Sequence, residues 1–326
     1  MKSRLVALGN MQDTSTYTSE ETGSPTVSLL SLFALTAKFH AEGRVFKTAD
    51  IGGAFMKVGI GGKEVLVQLD KFITALLTRV APEVKPFLTE QGELVVRLDS
   101  ALYGCVQSAK QWYLEISSFL KSIGFVVNRL DMCVFNKIDE LGNQCSIFIH
   151  LDDLLFSCVS EATVDEVIGA LKDKYKEVTV HEGVKLPYLG MVFDFSDRAK
   201  LRISMEKYIE DVLSLYCVTG MAKTPADRNL FFVDESSPEL AEERADAFHS
   251  RVAKLLYLAK RVRPEILPAI IFLTTRVNCW TEQDWEKLDR VLKYLNACPS
   301  KGIGLSCDEN CLLLLMLMHR LECTMI

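Results

Sequence analysis

Apolar positions recur at helical spacing over Ser28–Phe39, where Leu29, Leu32, Phe33 and Ala37 share one side and Gly43 closes the run. The pattern is stronger over Ser108–Ile123. There Trp112, Ile116, Phe119 and Leu120 form an apolar stripe that Gly124 stops, which predicts an amphipathic helix. Between these lie a polar, turn-rich stretch at 12–26 and short β-prone runs. Residues 44–50 (RVFKTAD) and 92–99 (GELVVRLD) predict strands, as do Cys133–Ile138, Ser146–Leu151 and Leu154–Cys158, with a turn at 139–144. Thr163–Lys174 predicts a helix, and Pro187–Phe195 with Lys200–Ser204 predicts a hairpin around Ser196–Arg198. From residue 205 the pattern is mainly helical, broken by a polar linker at 224–244. Strands and helices mixed first, then helices alone, predict an α+β domain with a C-terminal α-helical extension.

Composition adds exclusions. The 326 residues allow about two domains, and 49% hydrophobic with 25% charged residues excludes wholesale disorder. The longest apolar run, Leu312–Met318, is far short of the roughly 18 residues that span a bilayer, so no membrane partner is expected. The first residues lack a signal-peptide core, which argues against secretion. Ten scattered cysteines without a CxxC pair predict reduced thiols filling the core. The net charge of −6 argues against nucleic-acid binding, yet it is uneven. Arg251–Lys301 carries ten Lys/Arg and five Asp/Glu, a local +5 that leaves −11 for the remainder.

The candidate chemistry lies in carboxylates. Asp152-Asp153 interrupts an apolar, β-prone stretch, and adjacent like charges cost free energy unless a cation joins them. Asp50 ends another apolar strand. Hard oxygen ligands from two strand ends suit Mg²⁺, and two such ions can activate an attacking hydroxyl and stabilise a leaving pyrophosphate. Turn-forming aspartates at a hairpin are the plain alternative.

Several blocks then resemble, in collinear order, the reverse transcriptase of copia-type LTR retrotransposons. KSRLVALG (2–9) is similar to the opening fingers motif and KTADIGGAF (47–55) to the first palm aspartate motif. LDSALYGCVQSAKQWY (98–113) resembles the most specific block of the family, and FIHLDDLL (148–155) the second aspartate motif. LPYLGMVFDF (186–195) resembles the YLG hairpin, and ISMEKYIEDVLSLYCV (203–218) the thumb helix. Residues 255–274 and 285–305 resemble the helical stretch leading into ribonuclease H.

The resemblance implies a right-hand polymerase of fingers, palm and thumb that makes DNA from dNTPs on an RNA or DNA template with a primer, as part of a retrotransposon. It implies fingers and palm at 1–200, thumb and polar linker at 201–244, a helical connection at 245–305, and a degenerate or frame-shifted tail at 306–326. It implies a catalytic triad of Asp50, Asp152 and Asp153 that holds two Mg²⁺ ions, with Mn²⁺ as a substitute and Ile51 lending a main-chain carbonyl. Phe55 falls where the family sets a ring against the sugar 2′ position. Gln107, Lys2 and Arg4 match positions near the incoming nucleotide, and His150 stands near the primer terminus in place of the family's tyrosine. Lys260, Arg261 and Arg263, the densest basic cluster, are expected to contact the template–primer backbone at a helix end set by Pro264. The element biology implies cytoplasmic particles and the nucleus. A second reading stays open: a non-catalytic retroelement relic with at most weak nucleic-acid binding. A palm-fold nucleotide cyclase lacks the ALYG block at 101–104.

Overall fold

The computed structural model describes residues 5–307 apart from residue 63. The helices are α1 (Ser19–Thr22), α2 (Leu29–Ala41), α3 (Lys71–Val80), α4 (Ser108–Ser122), α5 (Glu161–Tyr175), α6 (Glu206–Leu215), α7 (Glu242–Arg261), α8 (Leu267–Thr274) and α9 (Glu282–Ala297). The strands are β1 (Val45–Ile51), β2 (Leu66–Leu69), β3 (Leu94–Arg97), β4 (Val126–Val127), β5 (Val134–Ile138), β6 (Gln144–His150), β7 (Asp153–Cys158), β8 (Val178–Glu182), β9 (Lys185–Tyr188), β10 (Met191–Asp194), β11 (Leu201–Ser204) and β12 (Ile303–Leu305). The expected α+β class is met. The chain divides into two compact units, one of residues up to Ser28 with Lys47–Val180, the other of Leu29–Phe46 with His181 onward. These boundaries differ from the division at residues 200 and 244 implied by the resemblance.

The first unit is built on a six-stranded sheet in the order β4-β5-β6-β7-β1-β8. Strands β4 to β7 form an antiparallel meander, with Phe135 opposite Ile147 and Ile147 opposite Phe156. Ile147, Phe148 and Ile149 are all buried, so β6 is covered on both faces, which is why its sequence reads as a continuous apolar run rather than an alternation. Helix α4 buries Trp112, Ile116 and Leu120, the stripe the spacing predicts. Gly124, at φ +95°, ends it and lets the Phe125 amide donate back to the Leu120 carbonyl at 3.0 Å. Helix α5 begins at Glu161, two residues before the expected start, because the Ser160 hydroxyl caps it by accepting from the Thr163 amide. Lys47 on β1 is buried, and its ammonium is held by Asp165 at 2.7 Å and Glu161 at 2.9 Å. That pairing makes an interior lysine tolerable and ties β1 to α5.

The second unit contains α2, α6 to α9 and an antiparallel sheet in the order β12-β11-β10-β9. Here the sequence expectation needs correction. Residues 187–195 are not one strand: β9 and β10 form a tight hairpin, with Tyr188 paired to Met191 across Leu189 and Gly190. Both turn residues take positive φ, +53° and +74°, the geometry that matches the strand twist. The hairpin around Ser196–Arg198 follows as β10 and β11, so the motif has three strands where two were expected. On α7, Val252, Leu255 and Ala259 are buried while Leu256 is only half-buried, and on α9 Leu288, Val291, Leu292 and Leu295 are buried, so each helix has an apolar face at helical spacing. Among the described residues the cysteines are free thiols; Cys105, Cys133, Cys145 and Cys158 are buried as expected, whereas Cys217 and Cys279 are exposed and do not fill the core. No described helix is long and apolar enough to cross a membrane. The tail after Cys307 lies outside the described residues.

Candidate functional site

The sheet order puts β1 beside β7, and with it Asp50 beside the turn that carries Asp152 and opens β7 at Asp153. The turn is half-buried and is backed by a buried side chain. Leu151 adopts φ +57°, a left-handed conformation that is costly for a branched side chain. It is held there because its carbonyl accepts a 2.7 Å hydrogen bond from the indole N–H of Trp112, a fully buried residue of α4. The next carbonyl, of Asp152, accepts from the Ile51 amide at 3.2 Å, so the two aspartate segments are joined through the main chain. His150 stands opposite Asp153 across β6 and β7.

The electrostatics follow from this crowding. Asp153 is raised from 3.8 to about 6, first by burial and then by the like charges of Asp152 and Asp50. Both other expected carboxylates therefore act on Asp153. Among the described residues no three or more His, Cys, Asp and Glu side chains are gathered into a ready metal-holding cluster. The donor set nevertheless fits a divalent ion: the oxygens are hard, and a cation would reverse the sign of the interactions that burden Asp153.

Two further side chains complete the surroundings. Phe55 is buried in a 3₁₀ turn (Ala54–Lys57), its ring 4.4 Å from that of Tyr103 and tilted by 55°. The Tyr103 hydroxyl donates to Asp152 Oδ2 at 2.9 Å. Tyr103 and the turn-holding role of Trp112 escaped the sequence reading. Both lie in the block 98–113, and their polar tips were the available signal, since a buried phenol or indole needs a partner.

Other expected residues lie differently. Gln107 is buried, and its amide is engaged: its Oε1 accepts from Gln12 at 3.0 Å and its Nε2 donates to the Tyr17 hydroxyl at 3.2 Å. As placed, it is part of a polar network rather than an open nucleotide contact, because a buried amide must be satisfied. Lys2 and Arg4 lie outside the described residues. In the basic cluster, Lys260 is exposed and Arg261 lies over the Tyr257 ring at 3.6 Å. Arg263 corrects the expectation. It is fully buried, its Nε bonded to Glu265 at 2.7 Å and its Nη1 to the Cys298 carbonyl at 3.0 Å, so it faces no phosphate. Pro264 does follow the end of α7, as expected. Part of the local basic excess is likewise used within the unit, with Arg251 lying over the Trp285 ring and Arg276 paired to Asp284.

Residues 1–226 match the family model described as reverse transcriptase (RNA-dependent DNA polymerase). The chain is 26% identical over 208 residues to the retrovirus-related Pol polyprotein from transposon TNT 1-94 of Nicotiana tabacum, covering 62% of this chain and 16% of that one. It is 26% identical over 313 residues to the Pol polyprotein from transposon RE1 of Arabidopsis thaliana, covering 93% of this chain and 19% of the relative. The chain thus spans less than a fifth of the length of these two relatives. Among solved structures, the foamy viral protease-reverse transcriptase in complex with double-stranded DNA matches at 14% identity and a TM-score of 0.39, over 78% of this chain and 35% of that chain. With the family model spanning well over half of its length, and Pol polyproteins of this type as its relatives, the chain belongs to the reverse transcriptase (RNA-dependent DNA polymerase) family, in the copia-type retrotransposon branch.

Proposed function

We propose that this chain performs template-directed DNA synthesis from dNTPs by metal-assisted nucleotidyl transfer. The observation that carries the reading is the pairing of β1 beside β7 with the Ile51–Asp152 main-chain hydrogen bond, which brings Asp50 to the Asp152-Asp153 turn, where burial first and then the charges of Asp152 and Asp50 raise Asp153 to about 6. Asp50, Asp152 and Asp153, with the Ile51 carbonyl, would hold the divalent ions. Mg²⁺ bound there would lower the barrier by neutralising charge on the transferring phosphate and on the leaving pyrophosphate. The protein's own part is positional. Trp112 and the Ile51 amide fix the turn, so the carboxylates need little rearrangement on binding a cation. Phe55 supplies an apolar wall suited to a deoxyribose and hostile to a 2′-hydroxyl. His150, opposite Asp153, is placed to contact a primer backbone. Lys260 and Arg261 would add sequence-independent contacts to the phosphates.

Primer extension on an RNA template with Mg²⁺ tests this. The wild-type chain is expected to extend the primer, and Asp50→Asn or Asp152→Asn to abolish extension while the fold is kept. A second reading, a non-catalytic retroelement protein, is favoured by the engagement of the Gln107 amide with Gln12 and Tyr17. A wild-type chain that binds primer–template but does not extend it, with either Mg²⁺ or Mn²⁺, would select that reading.

A further inference from the structure

Tyr103 is held at three points. Its carbonyl accepts from the Ala7 amide at 2.7 Å, its ring lies against Phe55, and its hydroxyl donates to Asp152 Oδ2. The main chain beside it has no slack. Gly104 sits at φ +92°, and a Cβ there would run into the Ala7 carbonyl. Sideways movement of the ring therefore cannot be absorbed by the main chain and must be taken up at the ring's own contacts. One of these is the apolar wall expected to face the sugar, and another is a carboxylate expected to face the metal.

We propose that Tyr103 is a positioning residue that couples Phe55 to the Asp152 carboxylate, so that the shape of the sugar is read out at the metal site. The proposal rests on the polymerase reading above. The phenol suits the task chemically. It donates a hydrogen bond into a crowd of three carboxylates without bringing a charge, occupies Oδ2, and leaves the other oxygen of Asp152 oriented for a cation. A deoxyribose leaves the Phe55 ring where it rests. A ribose 2′-hydroxyl that presses on Phe55 presses through it on Tyr103, and the hydroxyl–carboxylate bond is the contact able to yield. A ribonucleotide is then rejected twice, once by poorer fit and once by a displaced carboxylate that slows the chemical step.

The coupling can be measured without catalysis, using Mn²⁺ alone as the probe and isothermal titration of the full chain. Tyr103→Phe keeps the ring and removes the hydroxyl. It is expected to weaken Mn²⁺ binding by roughly 10- to 100-fold, in line with the loss of one hydrogen bond to a charged metal ligand. Phe55→Ala, which touches no carboxylate, is expected to weaken Mn²⁺ binding in the wild-type background and to have no further effect in Tyr103→Phe. Unfolding temperatures in chelator check that each variant is folded. Unchanged or tighter Mn²⁺ binding by Tyr103→Phe would mean that the hydroxyl is idle or competes with the metal, and equal effects of Phe55→Ala in both backgrounds would remove the coupling. Either result overturns the proposal. In primer extension, Tyr103→Phe should lose the kcat part of deoxyribose preference while keeping the KM part, and loss of the KM part instead would overturn the assigned role. A wild-type chain that titrates with Mn²⁺ but fails to extend primers would count against the polymerase reading alone, since the titration cycle still judges Tyr103.

Discussion

Asp152→Asn tests whether the carboxylates are a functional cluster or a structural turn. The substitution keeps the size of the side chain and an oxygen that can accept from Tyr103, and it deletes one of the charges acting on Asp153. The rise of Asp153 from 3.8 to about 6 corresponds to about 3 kcal/mol before screening. Burial is its largest single cause, so each neighbouring charge accounts for less than burial does. Asp153 is also partly open to water, which screens those charges further. Roughly 0.5–1 kcal/mol remains for Asp152, offset by about 0.5 kcal/mol for the weaker bond from Tyr103. In chelator at pH 7.5 the variant should therefore unfold at or slightly above the wild-type temperature, within about 2 °C. The pH dependence has a definite sign. The raised Asp153 is protonated in both folded and unfolded chains below 3.8, so repulsion costs nothing there. The cost grows as pH rises from 3.8 to about 6, and any advantage of Asp152→Asn should appear over that window and vanish near pH 4. Thermal unfolding followed by circular dichroism between pH 4 and 8 measures it. A loss of about 3 kcal/mol in chelator, the scale of a core truncation, would make Asp152 a structural residue and refute the reasoning.

Four other substitutions probe the supports. Arg263→Gln should cost about 3 kcal/mol by leaving Glu265 without its buried partner, whereas Lys260→Gln should stay within about 0.5 kcal/mol and instead flatten the salt dependence of duplex binding; urea unfolding and binding titrations separate the two. Trp112→Phe should cost roughly 1–3 kcal/mol because the Leu151 carbonyl loses its buried donor, and metal affinity should fall with it; a stable variant with intact Mn²⁺ titration would mean the turn holds itself. Burial, aided by Asp131, pushes the Cys133 thiol from 9.0 up to about 12, so the folded chain keeps it neutral while the unfolded chain ionises. Stability should accordingly fall as pH rises from about 9 toward 12, and Cys133→Ala should make that decline shallower in alkaline unfolding curves.

Much of the site was legible because charge breaks an apolar pattern visibly. Asp152-Asp153 and Asp50 stand out for that reason, and the helix behind them was readable from the stripe of Trp112, Ile116 and Leu120. What escaped depends on partners far along the chain. Gln107 looks like an exposed helix-start residue until Gln12 and Tyr17, roughly 90 positions away, claim its amide. Arg263 reads as part of a basic patch, and only the packing of Cys298 and Glu265 around it reveals a buried guanidinium. The β9–β10 hairpin, implied by the resemblance of residues 186–195 to the YLG hairpin, could not be read from the apolar pattern, because its two turn residues, Leu189 and Gly190, sit inside an apolar run with no polar turn signal. Helix α3 was missed for a related reason: Phe72, Leu76 and Val80 are exposed, so its apolar spacing does not report a buried face.

The main-chain contact between the first described residues and the Tyr103-Gly104 turn has a kinetic consequence. A Cβ at Gly9 would run into the Gly104 carbonyl, just as one at Gly104 would run into Ala7, so the two glycines make a contact that admits no side chain on either strand. Their sequence separation makes this a costly loop to close, whereas the β5–β6–β7 meander closes through short turns. The meander and its acidic turn are thus able to form early, and the clasp on Tyr103 only after the distant segments around Ala7 and Tyr103 have met. In the folded protein the same clasp is a natural first point of local opening, so amides of residues 7–12 should exchange with solvent faster than those of β6, and a transient release there would loosen Tyr103 while the carboxylate turn stays formed.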